Sequence, residues 1–251
     1  MTSPKITPLY EDVTFHGPLS EERAARLIRS LMPLDDAHVL DLGCGWAEFL
    51  LRTLEAAPTA TGTGVDRNAT DIARAQANAD ARGLSGRVSL QVADVAEWQA
   101  ARPADVVIVN GASHVWGGDP LQHTVNALTE ARKLLAPRGR LLFGECFWER
   151  EPTEAQLAAM PVPRDQLGSL ADLVDLAHSH GYRMLAAEQA SLDEWDVFEN
   201  GHGLAWERWL RDNPDSEHAA EIRETADSAR NRRLRGWRGT MGLAYLTLLA
   251  P

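Results

Sequence analysis

Short apolar segments that alternate with helical segments constrain the fold of this chain more than any other feature. Val, Leu and Ile dominate the first five, as is typical of strands buried in a parallel sheet. Strands are expected over His38–Leu42, Thr61–Asp66, Val88–Val92, Asp105–Asn110, Arg140–Glu145, Arg183–Glu188 and Leu243–Leu249. Helices are expected over Trp46–Glu55, Ala69–Arg82, Leu121–Leu135 and Ser169–His180. The pattern predicts an α/β fold with a doubly wound, mostly parallel sheet of seven strands.

The spacing of these elements divides the chain into four parts. Residues 1–35 are predicted to form an N-terminal flap and a helix over Leu19–Leu31 with Ser20 as its N-cap. Residues 36–190 form the cofactor-binding α/β core, residues 191–240 a helical insertion, and residues 241–251 the last strand of the core sheet. Because open α/β sheets bind ligands at the carboxyl ends of their strands, the insertion is predicted to form a substrate cap.

The charge and cysteine content of the chain limit the kinds of molecule and surface to which it is expected to bind. The chain has 251 residues and a net charge of −11 at pH 7. Phosphate contact requires Lys and Arg, so this charge argues against nucleic acid and against anionic membranes. Two cysteines are too few for a disulfide scaffold, and no apolar run reaches the roughly 18 residues of a membrane span. Since a signal peptide is also missing, a cytoplasmic location is expected.

A glycine-rich turn follows the first strand in the segment VLDLGCGWAEFL, residues 39–50. Turns of this kind bind nucleotide-like cofactors. A Walker A loop requires Lys and then Ser or Thr after its last glycine, whereas Trp46 and Ala47 follow here. A dinucleotide-binding turn has Gly or Ala where this chain has Glu48, whose carboxylate would oppose a pyrophosphate at the helix start. Both phosphate-containing cofactors are therefore disfavoured.

S-adenosylmethionine, which has no phosphate, suits this turn better. Gly43 and Gly45 allow the backbone to approach a ligand closely. The ammonium and ribose hydroxyls need carboxylate acceptors, which Asp41 before the glycines and Asp66 at the end of the second strand provide. Asp94 follows the third strand, where it can accept from the adenine amino group. The alternatives are a tight turn for the glycines and helix or turn caps for Asp66 and Asp94.

Five segments resemble the successive motifs of the class I S-adenosylmethionine-dependent methyltransferases. They are VLDLGCGWAEFL, GVDRN, VADVAEW, DVVIVNGASHVWGG and LLAPRGRLLFGE, in the order of the family. The resemblance covers residues 36–150 by motif, and residues 151–190 and 240–251 by topology. Ala47 stands where the family has its third glycine, a departure that we expect the fold to tolerate. The resemblance implies a Rossmann-like methyltransferase fold with S-adenosylmethionine as the cofactor.

The resemblance also implies a role for each matching position. Asp41, Gly43 and Gly45 would lie under the methionine part, Asp66 would bind the ribose hydroxyls, and Arg67 would cover one face of the adenine. Asp94 and the backbone of Val95 would hold the adenine edge, while Asn110 and Gly111 would face the sulfonium.

Methyl transfer requires an aligned acceptor and, for some acceptors, a base that removes a proton. His114 is the first candidate base, because it follows the fourth strand by a few residues and imidazole titrates near neutral pH. Glu145 at the end of the fifth strand is the second catalytic candidate, as base or as partner of a cationic amine. His16 in the flap is a candidate substrate-binding residue. The alternatives are a histidine bonded within its loop and a glutamate packed at the sheet edge.

Tryptophans and acids near the expected cavity mouth suggest an aromatic wall for the acceptor. Trp116, Trp148 and Trp195 can stack on planar or cationic groups, and Glu199 in the segment DEWDVFENGH favours an amine. Ordinary helix packing is the alternative for these tryptophans. The basic run at residues 230–238 is expected either to bind an anion or to favour the end of a helix.

The sequence therefore predicts an S-adenosylmethionine-dependent methyltransferase that acts on a small organic molecule. No ligand spacing for a metal is apparent. A nucleic-acid or protein methyltransferase, a non-catalytic cofactor-binding module and a nicotinamide-dependent oxidoreductase remain as alternatives. A homodimer is compatible with the sequence.

Overall fold

A seven-stranded sheet forms the centre of the computed structural model, which describes residues 10–251, in the order β3-β2-β1-β4-β5-β7-β6. Its strands are β1 (His38–Leu42), β2 (Thr61–Asp66), β3 (Val88–Val92), β4 (Ala104–Asn110), β5 (Leu135–Trp148), β6 (Arg183–Gln189) and β7 (Met241–Leu249). β7 is antiparallel to β5 and β6, whereas the other neighbours are parallel. The predicted doubly wound, mostly parallel seven-stranded sheet is confirmed.

Helices cover both faces of the sheet. The α-helices are α1 (Glu21–Ser30), α2 (Glu48–Ala56), α3 (Ala69–Ala81), α4 (His123–Leu134), α5 (Glu154–Ala159), α6 (Leu170–Ser179), α7 (Leu192–Asp212) and α8 (Ala219–Asn231). Apolar side chains of α1, α2 and α3 pack on one face, and those of α4 and α6 pack on the other. Because both faces are covered, the central strands are apolar on both sides, which explains the continuous apolar runs of the sequence.

Several predicted boundaries differ from the structure, and two of the differences have clear physical reasons. The helix expected from Trp46 begins at Glu48, because Ala47 has a left-handed backbone with φ of 56°. The strand expected over Arg140–Glu145 extends from Leu135 to Trp148, because Leu135 pairs with Ala104 of β4 and antiparallel pairing with β7 continues as far as Trp148. The α5 helix and the π-helix over Arg232–Trp237 were not expected.

The strand order reverses at β1, which pairs with β2 on one side and with β4 on the other. The connections that leave the carboxyl ends of β1 and β4 diverge at such a point and leave a crevice between them. The fold therefore places the glycine turn after β1 opposite the loop that follows β4.

The segment between β6 and β7 is helical. Ser191 and Glu194 form a capping box at the start of α7. The Glu194 carboxylate also accepts from the Ser20 amide and the Arg23 guanidinium, at 2.9 and 3.0 Å, which ties α7 to the start of α1. Ser20 is the N-cap of α1, as predicted. The four-part division of the chain and the substrate-cap role remain predictions, and residues 1–9 of the predicted flap lie outside the described residues.

The basic run at residues 230–238 is paired with an acid in the structure. Arg233 and Arg238 both donate to Asp196 of α7 at 2.8 Å. These two guanidinium groups lower the pKa of the Asp196 carboxyl to about 2. The run lies at the end of α8 and in the π-helix, in keeping with the helix-end alternative, and its pairing with Asp196 also holds the π-helix to α7.

Candidate active site

A cavity of about 450 Å³ opens at the carboxyl ends of the strands where the strand order reverses. Open α/β sheets bind their ligands at this position. The structure brings most of the predicted site residues to its wall, namely His16, Asp41, Gly43, Asp66, Arg67, Asp94, Val95, Asn110, Gly111 and His114. Gly45 lies beside them in the glycine turn, where its amide donates to the Asp66 carboxylate at 2.8 Å.

A left-handed backbone and bonds to β2 shape the glycine turn. Gly43 and Gly45 have φ of 72° and 54°, a region that costs residues with a Cβ about 1–2 kcal/mol. The amides of Gly43 and Cys44 donate to the carbonyl of Val65 at 2.9 and 3.1 Å. A Cβ on Gly43 would lie 2.6 Å from the Cβ of Ala112, in the loop after β4. Glycine is therefore required at position 43 by its backbone and by the close approach of that loop.

We expect Gly43→Ala to reduce thermal stability by more than the left-handed backbone alone explains. Gly83 is the matched control, because it has φ of 67° and no atom within 4 Å of its missing Cβ. Gly83→Ala should cost roughly 1–2 kcal/mol, whereas Gly43→Ala must also displace the loop after β4. Thermal unfolding of the two variants side by side measures the difference, and equal losses would contradict the close-approach argument.

Asp66 faces the cavity, and the N-cap of helix α3 is its neighbour Asn68. Asn68 accepts from the amides of Thr70 and Asp71, so the helix-cap alternative for Asp66 is wrong. The Asp66 carboxylate instead accepts from the amides of Gly45 and Asn68, both at 2.8 Å. These bonds hold it between the glycine turn and α3, while each oxygen keeps acceptor capacity for a ligand.

Asp94 occupies both positions that the sequence suggests, one beside the cofactor and one as the cap of a turn. Its carboxylate lines the cavity and also accepts from the amide of Ala96 at 2.9 Å. Asp94 therefore caps a turn and lines the cavity at the same time.

The Asp41 carboxyl tests whether a cationic cofactor fits this cavity. Burial, and then the charge of Asp66, raise the pKa of Asp41 from 3.8 to about 8. Within residues 10–251, the ion pairs of Lys and Arg all involve other carboxylates. A buried carboxyl that has no cationic partner is stabilised by a ligand that brings one. The ammonium of S-adenosylmethionine is such a cation, so the residues fit this cofactor.

We expect Asp41→Asn to stabilise the cofactor-free protein and to weaken cofactor binding. Because the pKa of Asp41 is higher in the folded state, its contribution to stability falls as pH rises from about 4 to about 8. At about 1.4 kcal/mol per pH unit, this carboxyl opposes folding by roughly 4 kcal/mol at pH 7. The variant should gain stability over the wild type between pH 5 and pH 8, as measured by thermal unfolding.

Binding of the demethylated product, S-adenosylhomocysteine, provides the second measurement for Asp41→Asn. Calorimetric titration should give a dissociation constant about 10- to 100-fold higher, since the ligand's ammonium loses its carboxylate partner. The exposed residue Asp35 is the control, and Asp35→Asn should change neither quantity. Unfolding curves of Asp41→Asn that follow the wild type at every pH would refute the assignment.

The Glu48 carboxylate is neutralised by neighbouring arginines, which weakens its use as evidence against a dinucleotide. Its carboxylate is buried in the cavity wall and pairs with Arg52 at 2.7 Å and with Arg82 at 2.6 Å. Because two guanidinium groups offset its charge, Glu48 opposes an anionic ligand less than its position in the sequence suggests. The exclusion of a dinucleotide therefore depends on relatives of the chain rather than on Glu48.

His114 stands on the cavity wall that the loop after β4 contributes. Partial burial, followed by the charges of His123 and Arg67, lowers the pKa of His114. The ring centroids of His114 and His123 are 6.4 Å apart. With a lowered pKa, His114 is neutral at pH 7, which is the state in which an imidazole accepts a proton.

Three of the predicted site residues, Glu145, Trp148 and Trp116, line neither this cavity nor the smaller one described below. The Glu145 carboxyl is buried, where it accepts from the Cys146 amide at 2.9 Å and from the Thr124 hydroxyl at 3.3 Å, and burial raises its pKa. Trp148 is buried and donates from Nε1 to the carbonyl of Arg164. Trp116 packs against the core on the α4 face. For all three residues, these contacts agree with the alternatives of structural packing rather than with a role in the site.

Trp195 and Glu199 line a second, smaller cavity of about 170 Å³. Trp237, Arg233 and Gln189 share its wall. Burial raises the pKa of the Glu199 carboxyl, although the charge of Arg233 opposes the shift. The structure therefore places the predicted aromatic and acidic residues of the insertion away from the wall of the larger cavity.

Some residues of the larger cavity were missed from the sequence. Phe15, Trp46 and Asp71 also line it. Trp46 follows Gly45 directly, and Asp71 lies in the first turn of α3, so their positions next to recognised motifs were the available signal. Across residues 10–251, no group of His, Cys, Asp and Glu is placed to hold a metal ion, and no helix is long and apolar enough to cross a membrane.

Fold and site together define an S-adenosylmethionine-dependent methyltransferase with a class I fold. The chain belongs to the family described as Methyltransferase domain, which matches residues 34–192. The Escherichia coli strain K12 protein YjhP is 33% identical over 258 residues and covers 100% of both chains. Its crystal structure superposes with a TM-score of 0.87 over 99% of this chain and 100% of that chain.

Two further relatives bear on the cofactor and on the chemistry. A methyltransferase from Thiobacillus denitrificans, solved in complex with S-adenosyl-L-homocysteine, is 30% identical, with a TM-score of 0.86 and 100% of both chains covered. A trans-aconitate 2-methyltransferase of Azoarcus sp. strain BH72 is 30% identical over 178 residues, which are 70% of this chain and 66% of that enzyme. The cofactor is S-adenosylmethionine, and the predicted enzyme class is confirmed.

Proposed function

We propose that this methyltransferase acts on a small organic molecule, which binds in the larger cavity beside the cofactor. One observation carries the proposal: the loop after β4 places His114 on the same wall as Asn110 and Gly111. The acidic charge of the chain, −11, supports a small acceptor over nucleic acid. A cytoplasmic location and a homodimer remain proposals of the sequence.

The side chains of this cavity would divide the work of methyl transfer. When bound, S-adenosylmethionine supplies an electrophilic methyl group. Asp41 and Asp66 would hold its cationic and hydroxyl groups, as their burial and bonding support. His114, kept neutral by its lowered pKa, would remove a proton from the acceptor as the acceptor's oxygen, nitrogen or carbon is methylated. His16 would close the side of the cavity formed by the flap.

A carboxylate-bearing acceptor is the second candidate. Similarity to trans-aconitate 2-methyltransferases favours it, as do the positions of Arg67 and His114 on the cavity wall, with His123 nearby. A carboxylate is already ionised at pH 7, so one of its oxygens would take the methyl group directly and give a methyl ester. His114 would then donate a hydrogen bond to the acceptor and would not act as a base.

Transfer of labelled methyl groups to defined acceptors tests the proposal. Small carboxylic acids, phenols and amines are offered separately, and bulk RNA and unfolded protein serve as the alternatives. We expect label only in small molecules, and in the acids if the second candidate is correct. Label in RNA or protein with none in any small molecule would overturn the proposal, while unchanged binding of S-adenosylhomocysteine would show that the cofactor site is intact.

The helical segment 191–240 is proposed as a cap over the acceptor. Trp195 and Glu199 on α7 line the smaller cavity, next to residues that follow β5 and β6. Both cavities open at the same edge of the sheet, which supports a role for the smaller one in holding the distal part of a longer acceptor. Glu145 is buried outside both cavity walls and bonded to Ser113 and Thr124, so we propose no part for it in proton removal.

A further inference from the structure

Trp46 connects the glycine turn to the N-terminal flap, defined here as residues 10–18. It follows Gly45 directly, and its side chain is only 1% exposed. A fully buried indole is unusual in a turn whose task is to bind a cofactor, since large side chains in loops more often remain at the surface. The contacts of this indole explain why it is there.

Three contacts fasten the flap to Trp46. The indole Nε1 donates to the carbonyl of Thr14 at 2.9 Å. The imidazole of His16 stacks on the indole with ring centroids 4.7 Å apart and an interplanar angle of 13°. The guanidinium of Arg74 lies 4.1 Å from the indole centroid and donates to the carbonyl of Tyr10 at 3.2 Å. Trp46 is therefore the centre of the contacts that fix the course of the flap.

These contacts place His16 directly over the glycine turn. Its Nδ1 lies 3.0 Å from the point where a Cβ on Gly45 would stand. His16 also lines the cofactor cavity. The imidazole thus forms part of the wall that the bound cofactor would face, and its position is set by the ring on which it stacks.

The far side of the flap rests on helix α7. A Cβ on Gly201 would overlap a methyl group of Val13, so the helix and the flap approach as closely as glycine allows. The rings of Tyr10 and His202 meet edge to face, with centroids 4.4 Å apart. Helix α7 thus contacts the far side of the flap, while Trp46 contacts the side that faces the glycine turn.

We propose that Trp46 is a positioning residue for methyl transfer: it holds His16 against the cofactor cavity and so links the glycine turn to the flap. The inference rests on the methyltransferase class of the chain and not on the proposed acceptor. Trp46 also lines the cofactor cavity, but its proposed effect on methyl transfer acts through His16 and the backbone of the flap.

Trp46→Phe tests the proposal, because phenylalanine keeps an aromatic ring but cannot donate to the Thr14 carbonyl. We expect the dissociation constant of S-adenosylhomocysteine to rise about 10-fold by calorimetric titration. Amides of residues 10–18 should exchange hydrogen faster in the cofactor-free protein. Trp98→Phe is the matched control, since Trp98 Nε1 also donates, to Gln91 at 2.7 Å, but lies outside the cavity.

A double-mutant cycle separates positioning from a general loss of stability. If Trp46 acts through His16, the combination of Trp46→Phe with His16→Ala should bind S-adenosylhomocysteine about as weakly as His16→Ala alone. Additive losses, or an affinity in Trp46→Phe equal to that in Trp98→Phe, would overturn the proposal. Should Trp46→Phe fold poorly, Arg74→Met removes the guanidinium from the other contact and must show the same non-additivity with His16→Ala.

Discussion

Asp66→Ala is expected to abolish measurable binding of S-adenosylhomocysteine. The carboxylate accepts from the amides of Gly45 and Asn68, both at 2.8 Å, so it already lies between the glycine turn and the start of α3. Hydrogen bonds to a charged group contribute about 1.5–3 kcal/mol each. Loss of two ribose hydroxyl bonds would therefore weaken binding by roughly 10²–10⁴-fold. Calorimetric titration of the purified variant measures this loss.

Two variants show whether the loss at Asp66 comes from the ligand or from the fold. Asp105→Ala also removes a carboxylate that accepts a backbone amide, that of His38 at 2.8 Å, but at the opposite end of the sheet. It should lower stability slightly and leave the affinity unchanged. Asp66→Asn keeps one acceptor oxygen and should bind with intermediate affinity. Wild-type affinity in Asp66→Ala would refute the predicted ribose role.

The sheet could be predicted from the sequence because each of its strands carries its own local signal. β2 over Thr61–Asp66 and β3 over Val88–Val92 have the bounds that the sequence predicts. β5 is longer than its predicted range because β4 extends the pairing at one end and β7 at the other, and tertiary contacts of this kind leave no local signature. The start of α2 at Glu48 also had no local signal, since the surrounding turn holds Ala47 in a left-handed conformation.

The cofactor side of the site was more predictable than the acceptor side for a physical reason. Asp41 and Asp66 lie at the carboxyl ends of their strands, and Asp94 follows β3. The carboxyl ends of parallel strands meet at one edge, so order along the chain gives position in space. Trp195 and Glu199 lie on a long helix, where the face that they present depends on how α7 packs. Packing of α7 on the flap and on the π-helix is non-local, and residue type alone did not reveal it.

Glu145 shows the limit of reading a role from a position at the sheet edge. The sequence predicts it at the end of the fifth strand, but β5 continues to Trp148, and the side chains of adjacent strand residues alternate between the two faces of the sheet. Cys146 packs against the core on the α1 face, whereas Phe147 packs against the core on the α4 face. Glu145 shares the side of Phe147 and meets Thr124 of α4 there. The Glu145 side chain therefore lies on the opposite face of the sheet from Cys146, which packs against the core that includes Val13 and Phe15 of the flap.

His114→Ala is expected to lower turnover by about 10²–10⁴-fold while the affinity for S-adenosylhomocysteine stays unchanged. Burial and the charges of His123 and Arg67 lower the pKa of His114, so the wild-type rate should fall with decreasing pH only below about 6.5. A base must be unprotonated, which places the loss on the acid side of the profile. His114→Ala should lack this limb, and rates measured from pH 5 to pH 9 will show it.

Two further variants decide which role His114 has. His123→Ala removes a neighbouring charge, so the acid limb should move up toward pH 6.5 while the plateau is kept. His114→Gln keeps a hydrogen-bond donor but cannot take a proton at these pH values. If the acceptor bears a proton, Gln is as inactive as Ala. If the acceptor is a carboxylate that only needs a donor, Gln restores much of the activity and the limb is absent in both variants, which would remove His114 as a base and retain it as a binding residue.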